Sequence, residues 1–293
     1  MRPAARTPQR GVAVVLAMGV AALCAIAAAG MLASQSTWSR HAELAAEHAQ
    51  AQALVRAGVD WARALLGDDQ RLSNVDHLGE PWAMRVPPVQ VDNGLLAGQI
   101  DDQQAAFNLN NLVRNGIASA PHLAQFQRLL RVLDLPESLA DALADWIGAG
   151  VEPPLHLAAH HPLVDPGELA LAPGFDASVR ARLRPFITAL PRFTAINVNT
   201  ASPEVLAAVV RDLDLDAARE LAVQRERVYF RHAAEFVALL PPGAAADAGD
   251  LSATSQFFVA SVRVTYGSAR ASGSALLARG IAGWPAVAWR KYP

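Results

Sequence analysis

The unbroken uncharged run from Val12 to Ala33 constrains this chain more than any other feature. As a helix of about 22 residues it spans roughly 33 Å, enough to cross a hydrocarbon core of about 30 Å. Arg2, Arg6 and Arg10 precede it. Basic residues ahead of an apolar span keep the start cytoplasmic and send the rest across. A secretory signal peptide has a shorter apolar region followed by a small-residue cleavage site. Ala27-Ala28-Ala29 imitates such a site, so a discarded signal is the alternative to a retained anchor.

The following segment argues for retention. From Trp38 to Leu66 there is no proline and one glycine, Gly58. Leu44, Ala51, Leu54, Val55, Val59, Ala62, Leu65 and Leu66 fall close to helical spacing, and Arg40, Glu43, Glu47, Gln50 and Arg56 fill the gaps. The apolar segment therefore runs on into an amphipathic helix, with Gly67-Asp68-Asp69 as its expected end. A long helix, apolar in its first half and amphipathic in its second, is the plan of type IV pilin-like subunits. These are cut after a glycine that follows basic residues and keep the apolar helix. Here the cut falls between Gly11 and Val12. Most such subunits carry a glutamate five residues into the mature chain, where this chain has Leu16. A carboxylate inside a bilayer costs about 2.5–3.5 kcal/mol and is kept because it pairs with a neighbour's N-terminal amine. Leu16 marks either a chain outside the pilin-like class or a tip subunit with nothing ahead of it.

After the helix the texture changes. Pro81, Pro87 and Pro88 interrupt the chain, and short strands are expected near Trp82–Val86 and Leu95–Asp101, joined by a turn at Asp92-Asn93-Gly94. From about Asn108 to Leu240 the pattern is helical. Leu123, Phe126, Leu129, Leu130 and Leu133 form one stripe, and Leu139, Leu143, Trp146 and Ile147 another. Pro121 and Pro136 mark helix starts, with later helices at Pro166–Leu171, Ala177–Phe186, Pro203–Arg211, Ala217–Val228 and Ala233–Leu239. Strands return at the end: Phe258, Ala260, Val262, Val264 and Tyr266 alternate with polar residues, and Ser274–Arg279 and Ala286–Arg290 supply two more.

The expected fold class is α+β: a pilin-like long N-terminal helix, a small antiparallel sheet and a large inserted all-helical domain. The divisions are a basic leader, 1–11; the long helix, 12–66; the first part of the frame, 67–107; the inserted helical domain, 108–190; a second small helical unit, 191–244; and the C-terminal strands of the frame, 245–293.

Composition narrows the function. The net charge of −2 gives no electrostatic reason to expect nucleic acid as the main partner. Cys24 is the single cysteine and lies in the apolar run, so the fold stands without an intrachain disulfide.

Motifs in order along nearly the whole chain resemble the general secretion pathway protein K family, the large minor pseudopilins of type II secretion. They are Arg10-Gly11, Trp61-Ala62, Leu78-Gly-Glu-Pro-Trp-Ala83, Gly98-Gln-Ile-Asp-Asp102, Phe107-Asn-Leu-Asn-Asn-Leu-Val113, Ala144-Asp-Trp-Ile147 and Ile196-Asn-Val-Asn-Thr-Ala201. That family also lacks the usual glutamate, as at Leu16. The resemblance implies a pseudopilin fold with a large helical insertion, anchored once in the bacterial inner membrane with its head in the periplasm. It implies a place at the pseudopilus tip with two other minor pseudopilins, starting assembly and helping export folded exoproteins. The implied partners are those pseudopilins, the major pseudopilin, the inner-membrane secretion platform and prepilin peptidase, with secreted exoproteins as further candidates.

Asn108, Asn110, Asn111, Asn197 and Asn199 precede helical patterns and are expected to cap helices and close turns. Ile196–Ala201 also resembles the start of a helix-hairpin-helix module, as in DNA-uptake proteins, but the following turn is Leu213-Asp-Leu-Asp216, where carboxylates oppose a phosphate. His156, His160, His161 and Asp165 could ligate a metal, although Pro153, Pro154 and Pro162 favour a solvated loop. The family's loop after Asp-Trp-Ile binds calcium, which implies a candidate set of Asp141, Asp145, Glu152 and Asp165. Here Gly148-Ala149-Gly150 follows instead and those carboxylates are sparse. Asp101 and Asp102 read as a turn acid or a solvated pair. No nucleophile elbow, phosphate loop or zinc-protease motif is present, and a non-enzymatic assembly protein is expected. A DNA-uptake module and a membrane-tethered metal protein are the alternatives.

Overall fold

The computed structural model describes residues 10–148, 161–280 and 283–292. One helix, α1 (Arg10–Leu72), dominates the first quarter. A 3₁₀ turn at Pro81–Ala83 leads to β1 (Val86–Val91) and β2 (Gly94–Asp102). Short strands β3 (Phe107–Asn108), β4 (Val113–Arg114) and β5 (Ile117–Ala118) open the helical unit. Within it lie α2 (Ala120–Val132), α3 (Leu139–Ile147), α4 (Ala177–Leu183), β6 (Ile187–Thr188), β7 (Ile196–Asn197), α5 (Pro203–Val209), α6 (Leu215–Arg227) and α7 (Ala233–Val237). The chain ends in β8 (Leu251–Ser252), β9 (Phe257–Tyr266), β10 (Ala269–Ala278) and β11 (Ala286–Lys291).

The frame is an antiparallel sheet of order β1-β2-β9-β10-β11. Proline cannot donate to a ladder and is confined to edges and bulges. Pro87 and Pro88 obey this, on edge strand β1 where the register shifts between Val86 and Val89. Ala51, Val55, Val59, Ala62 and Leu66 recur on one face of α1 and bury against Phe258, Ala260, Val262, Val264 and Leu277. Burying one such side chain contributes about 1.5–3 kcal/mol, so this stripe fixes the helix on the sheet. Gly58 allows the close approach: a Cβ there would lie 2.8 Å from Val262 Cγ1.

The helical unit sits between β2 and β9. A single apolar core runs through it from Phe107 to Leu251 and takes in residues from both 108–190 and 191–244. The stripes read from the sequence bury as expected at Phe126, Leu129, Leu130, Leu139, Leu143 and Ile147.

Local signals went astray in two places. The helix does not end at Gly67-Asp68-Asp69 but continues to Leu72. Asp68 pairs with Arg71, Asp69 pairs with Arg279 from the sheet, and Gly67 lies against Pro285, so tertiary contacts carry the helix past its breakers. The strand expected from Trp82 starts only at Val86, because Trp82 is tucked into the 3₁₀ turn and donates its indole N–H to Glu80 at 2.7 Å.

Candidate functional site

The first half of α1 stands clear of the other described residues. Val12 is 65% and Leu16 63% exposed, and an added Cβ at Gly11, Gly19 or Gly30 would meet nothing within 4 Å. Gly11, Val12 and Leu16 all lie within the helix, and residues 1–9 of the leader lie outside the described residues. An apolar helix that no other described residue covers, yet continuous with one docked on a sheet, suits a membrane anchor rigidly joined to its head.

At the far end of α1 lies a buried polar centre. The carboxylate oxygens of Asp69, Asp76 and Glu80 lie within 4.8 Å of one another. Three such acids could hold a metal, but Arg279 already supplies the cation: its guanidinium pairs with Asp69 at 2.5 Å and with Asp76, and lies over the Phe258 ring. Asp76 Oδ2 also accepts from the Ser255 N–H at 2.7 Å. Asp102 extends the network. It accepts from Thr200 Oγ1 and Ser255 Oγ at 2.6 Å, from Asn197 Nδ2 at 3.1 Å and from the Gln104 N–H at 2.8 Å. Asp102 is 8% exposed: it is the expected turn acid, capping the 3₁₀ turn at Gln103–Ala105, but a buried hub and not part of a solvated pair. Burial pushes its carboxyl up to about 6 against the lowering pull of Ser255 and Thr200. Burial also raises Asp76, with Arg279 opposing.

Asn108 and Asn197 close their own turns and also reach further, whereas Asn110, Asn111 and Asn199 bond distant main chain instead of capping. Asn108 Oδ1 accepts from the Asn110 N–H within its own turn, but also from the Leu190 N–H at 3.0 Å, and Nδ2 donates to Arg192 O at 2.9 Å. Asn110 bonds Leu163 and Leu190, and Asn111 bonds both main-chain groups of Thr194. Asn197 caps Asn199 N–H and donates to Asp76 O. Asn199 holds both main-chain groups of Phe230. These side chains pin distant segments together.

Asp76, Arg279 and Ser255 were missed by the sequence reading. Their partners were not: Glu80, Asp102, Asn197 and Thr200 each belong to a quoted motif, and the fold brings three separate motifs to one place.

The other candidates are dispersed among the described residues. Asp141 and Asp145 are exposed on α3. Asp165 accepts from the Gly167 N–H and pairs with Lys291 at 2.6 Å. Glu152, His156 and His160 lie outside the described residues, and His161 is exposed. The helix-hairpin-helix likeness holds in outline, since α5 and α6 flank a tight turn. Its tip carries exposed Asp212 at φ 56° and the capping Asp214, so carboxylates stand where a phosphate would approach.

Comparison with known proteins agrees with this arrangement. Family models described as type II secretion system protein K match residues 105–192 and 196–255. The type II secretion system protein K of Pseudomonas aeruginosa is 34% identical over 257 residues, covering 79% of this chain and 77% of that one. That of Klebsiella pneumoniae is 31% identical over 300 residues, covering 92% of each. The fold matches a chain of the solved GspK-GspI-GspJ complex from the enterotoxigenic Escherichia coli type 2 secretion system, with a TM-score of 0.74 and 24% identity, over 86% of this chain and 99% of that one. With both halves of the helical unit matched and relatives aligned over most of their length, the chain belongs to the type II secretion system protein K family of minor pseudopilins.

Proposed function

We propose that this chain is the tip subunit of a pseudopilus, cut between Gly11 and Val12 and held in the inner membrane by the retained helix until assembly. It works with other minor pseudopilins, as the complex of its structural neighbour suggests, and with the major pseudopilin and the secretion platform beneath. Starting the filament and pushing folded exoproteins outward is mechanical work and needs no catalytic group. The observation that carries the reading is α1 itself: an uncovered apolar half with Leu16 in place of the paired glutamate, continuous with a half locked to the head. A subunit with nothing ahead of it has no amine to pair, and the apolar residue avoids the cost of a lone carboxylate in lipid. Calcium stays a secondary proposal, resting on Asp141, Asp145, Glu152 and Asp165.

The test is intact mass and N-terminal sequencing of the chain made with and without a prepilin peptidase. A start at Val12 that depends on the peptidase supports the reading. A start near Ser34 would make the head a free periplasmic protein, and an uncut chain would leave an ordinary anchor.

A further inference from the structure

The polar centre at the end of α1 holds more acid than base. Asp69, Asp76 and Glu80 crowd within 4.8 Å, and Asp102 joins them through Ser255 and Asn197, against the one guanidinium, of Arg279, found there among the described residues. The charged groups on the surrounding elements are engaged elsewhere. On α1, Asp68 faces out and pairs with Arg71. His77 gives its main-chain N–H to Glu80 and stacks its ring on Tyr229, centroids 4.0 Å apart. On β2, Asp101 accepts from Gln99 at 2.7 Å. Arg192 donates to Gln256, Arg225 on α6 donates to Val198 O, and Arg231 meets Glu235 through its main chain.

These same residues tie together the three parts of the fold. Asp69 belongs to α1, Asp102 ends β2, Arg279 directly follows β10, and Asn197 and Thr200 belong to the helical unit. We propose that this centre is a pH-responsive joint that grips the end of α1 and the helical unit more firmly as the surroundings acidify.

The chemistry follows from the excess of buried acid. Ionised carboxylates out of water are costly and repel one another. A proton on Asp102 removes one buried charge, and the new O–H can donate to the Thr200 or Ser255 hydroxyl, since each can accept as well as donate. The direction is opposite to that of an ordinary salt-bridged acid. In the fold the Asp102 carboxyl titrates at about 6, raised by burial, above its unfolded value of about 3.9. The folded state therefore binds the proton more tightly. The resulting stability is fully present below about pH 4 and is lost as pH rises through about 6.

The experiment is urea unfolding of the full-length chain in detergent micelles across about pH 5 to 7.5, with hydrogen exchange at Arg71–Ser73 and Val198–Thr200 corrected for intrinsic rates. The wild-type unfolding constant should fall about tenfold on acidification, with slower exchange at both sites. Asp102→Asn should reduce that response, leaving the part contributed by Asp69, whose carboxyl burial also pushes up to about 6, and should match or exceed wild type near neutral pH. Equal acid responses in the two chains, or a wild type that weakens in acid, would overturn the joint. A carboxyl-carbon titration of the wild-type chain needs no variant: a midpoint near 6 for Asp102 supports the proposal, and one near 4 sinks it.

Discussion

Asn108 is fully buried and serves two masters. Its oxygen accepts from the Asn110 and Leu190 N–H groups, and its amide donates to Asn111 Oδ1, Arg192 O and Thr194 Oγ1. A simple exposed cap contributes about 1 kcal/mol. A buried partner whose removal orphans several polar groups costs more, because each orphan pays about 1–3 kcal/mol of desolvation. Asn108→Ala should therefore destabilise the full-length chain by about 3 kcal/mol in urea unfolding, against little change for Asn93→Ala at an exposed turn. Equal small losses in both would reduce Asn108 to an ordinary cap. The cap role itself was legible, because asparagine before a helix bonds its own turn. The reach to residues 190–194 was not, because no local pattern tells which distant main chain will lie beside a side chain.

At the scale of elements, legibility followed periodicity. The stripes of α2 and α3 and the alternation of β9 were readable because each element buries one regular face. The end of α1 was not, because contacts from Arg279 and Pro285 override the local glycine and aspartates. The burial of Asp102 is not legible for a like reason: it is the last residue of β2, an inner strand whose end the helical unit covers through Asn197 and Thr200. The docking of α1 makes its own prediction. Gly58 faces Val262, and a branched side chain must push the helix off the sheet or displace Val262. Gly58→Val should cost about 1–3 kcal/mol, as overpacking does, and loosen amide protection along Ala51–Leu66. Gly30→Ala, with open space around it, should leave the melting of the head unchanged. If both variants melt with the wild type, the helix does not approach the sheet as closely as Gly58 implies.

At the scale of the whole molecule, the helical unit leaves and rejoins the frame at one point. Asp102 and Phe258 are register partners across β2 and β9, so everything between them is a side branch on a hairpin. Such a branch can be exchanged for a short turn with its ends already side by side. In the proposed reading, a head this broad clashes with copies of itself around a tight filament, and Leu16 lacks the carboxylate that a shaft subunit pairs. If these two features set the proposed tip placement, a chain with 104–254 replaced by a Gly/Asn turn and carrying Leu16→Glu should enter the shaft. Gold labels on such a chain should appear along assembled pseudopili, whereas either change alone should leave label at one end. Label along the shaft with the full head and Leu16→Glu would show that the pairing residue, and not the bulk of the head, sets the position. Label at one end even in the doubly altered chain would place the determinant in the frame or α1, where the surface that meets the next subunit must then be sought.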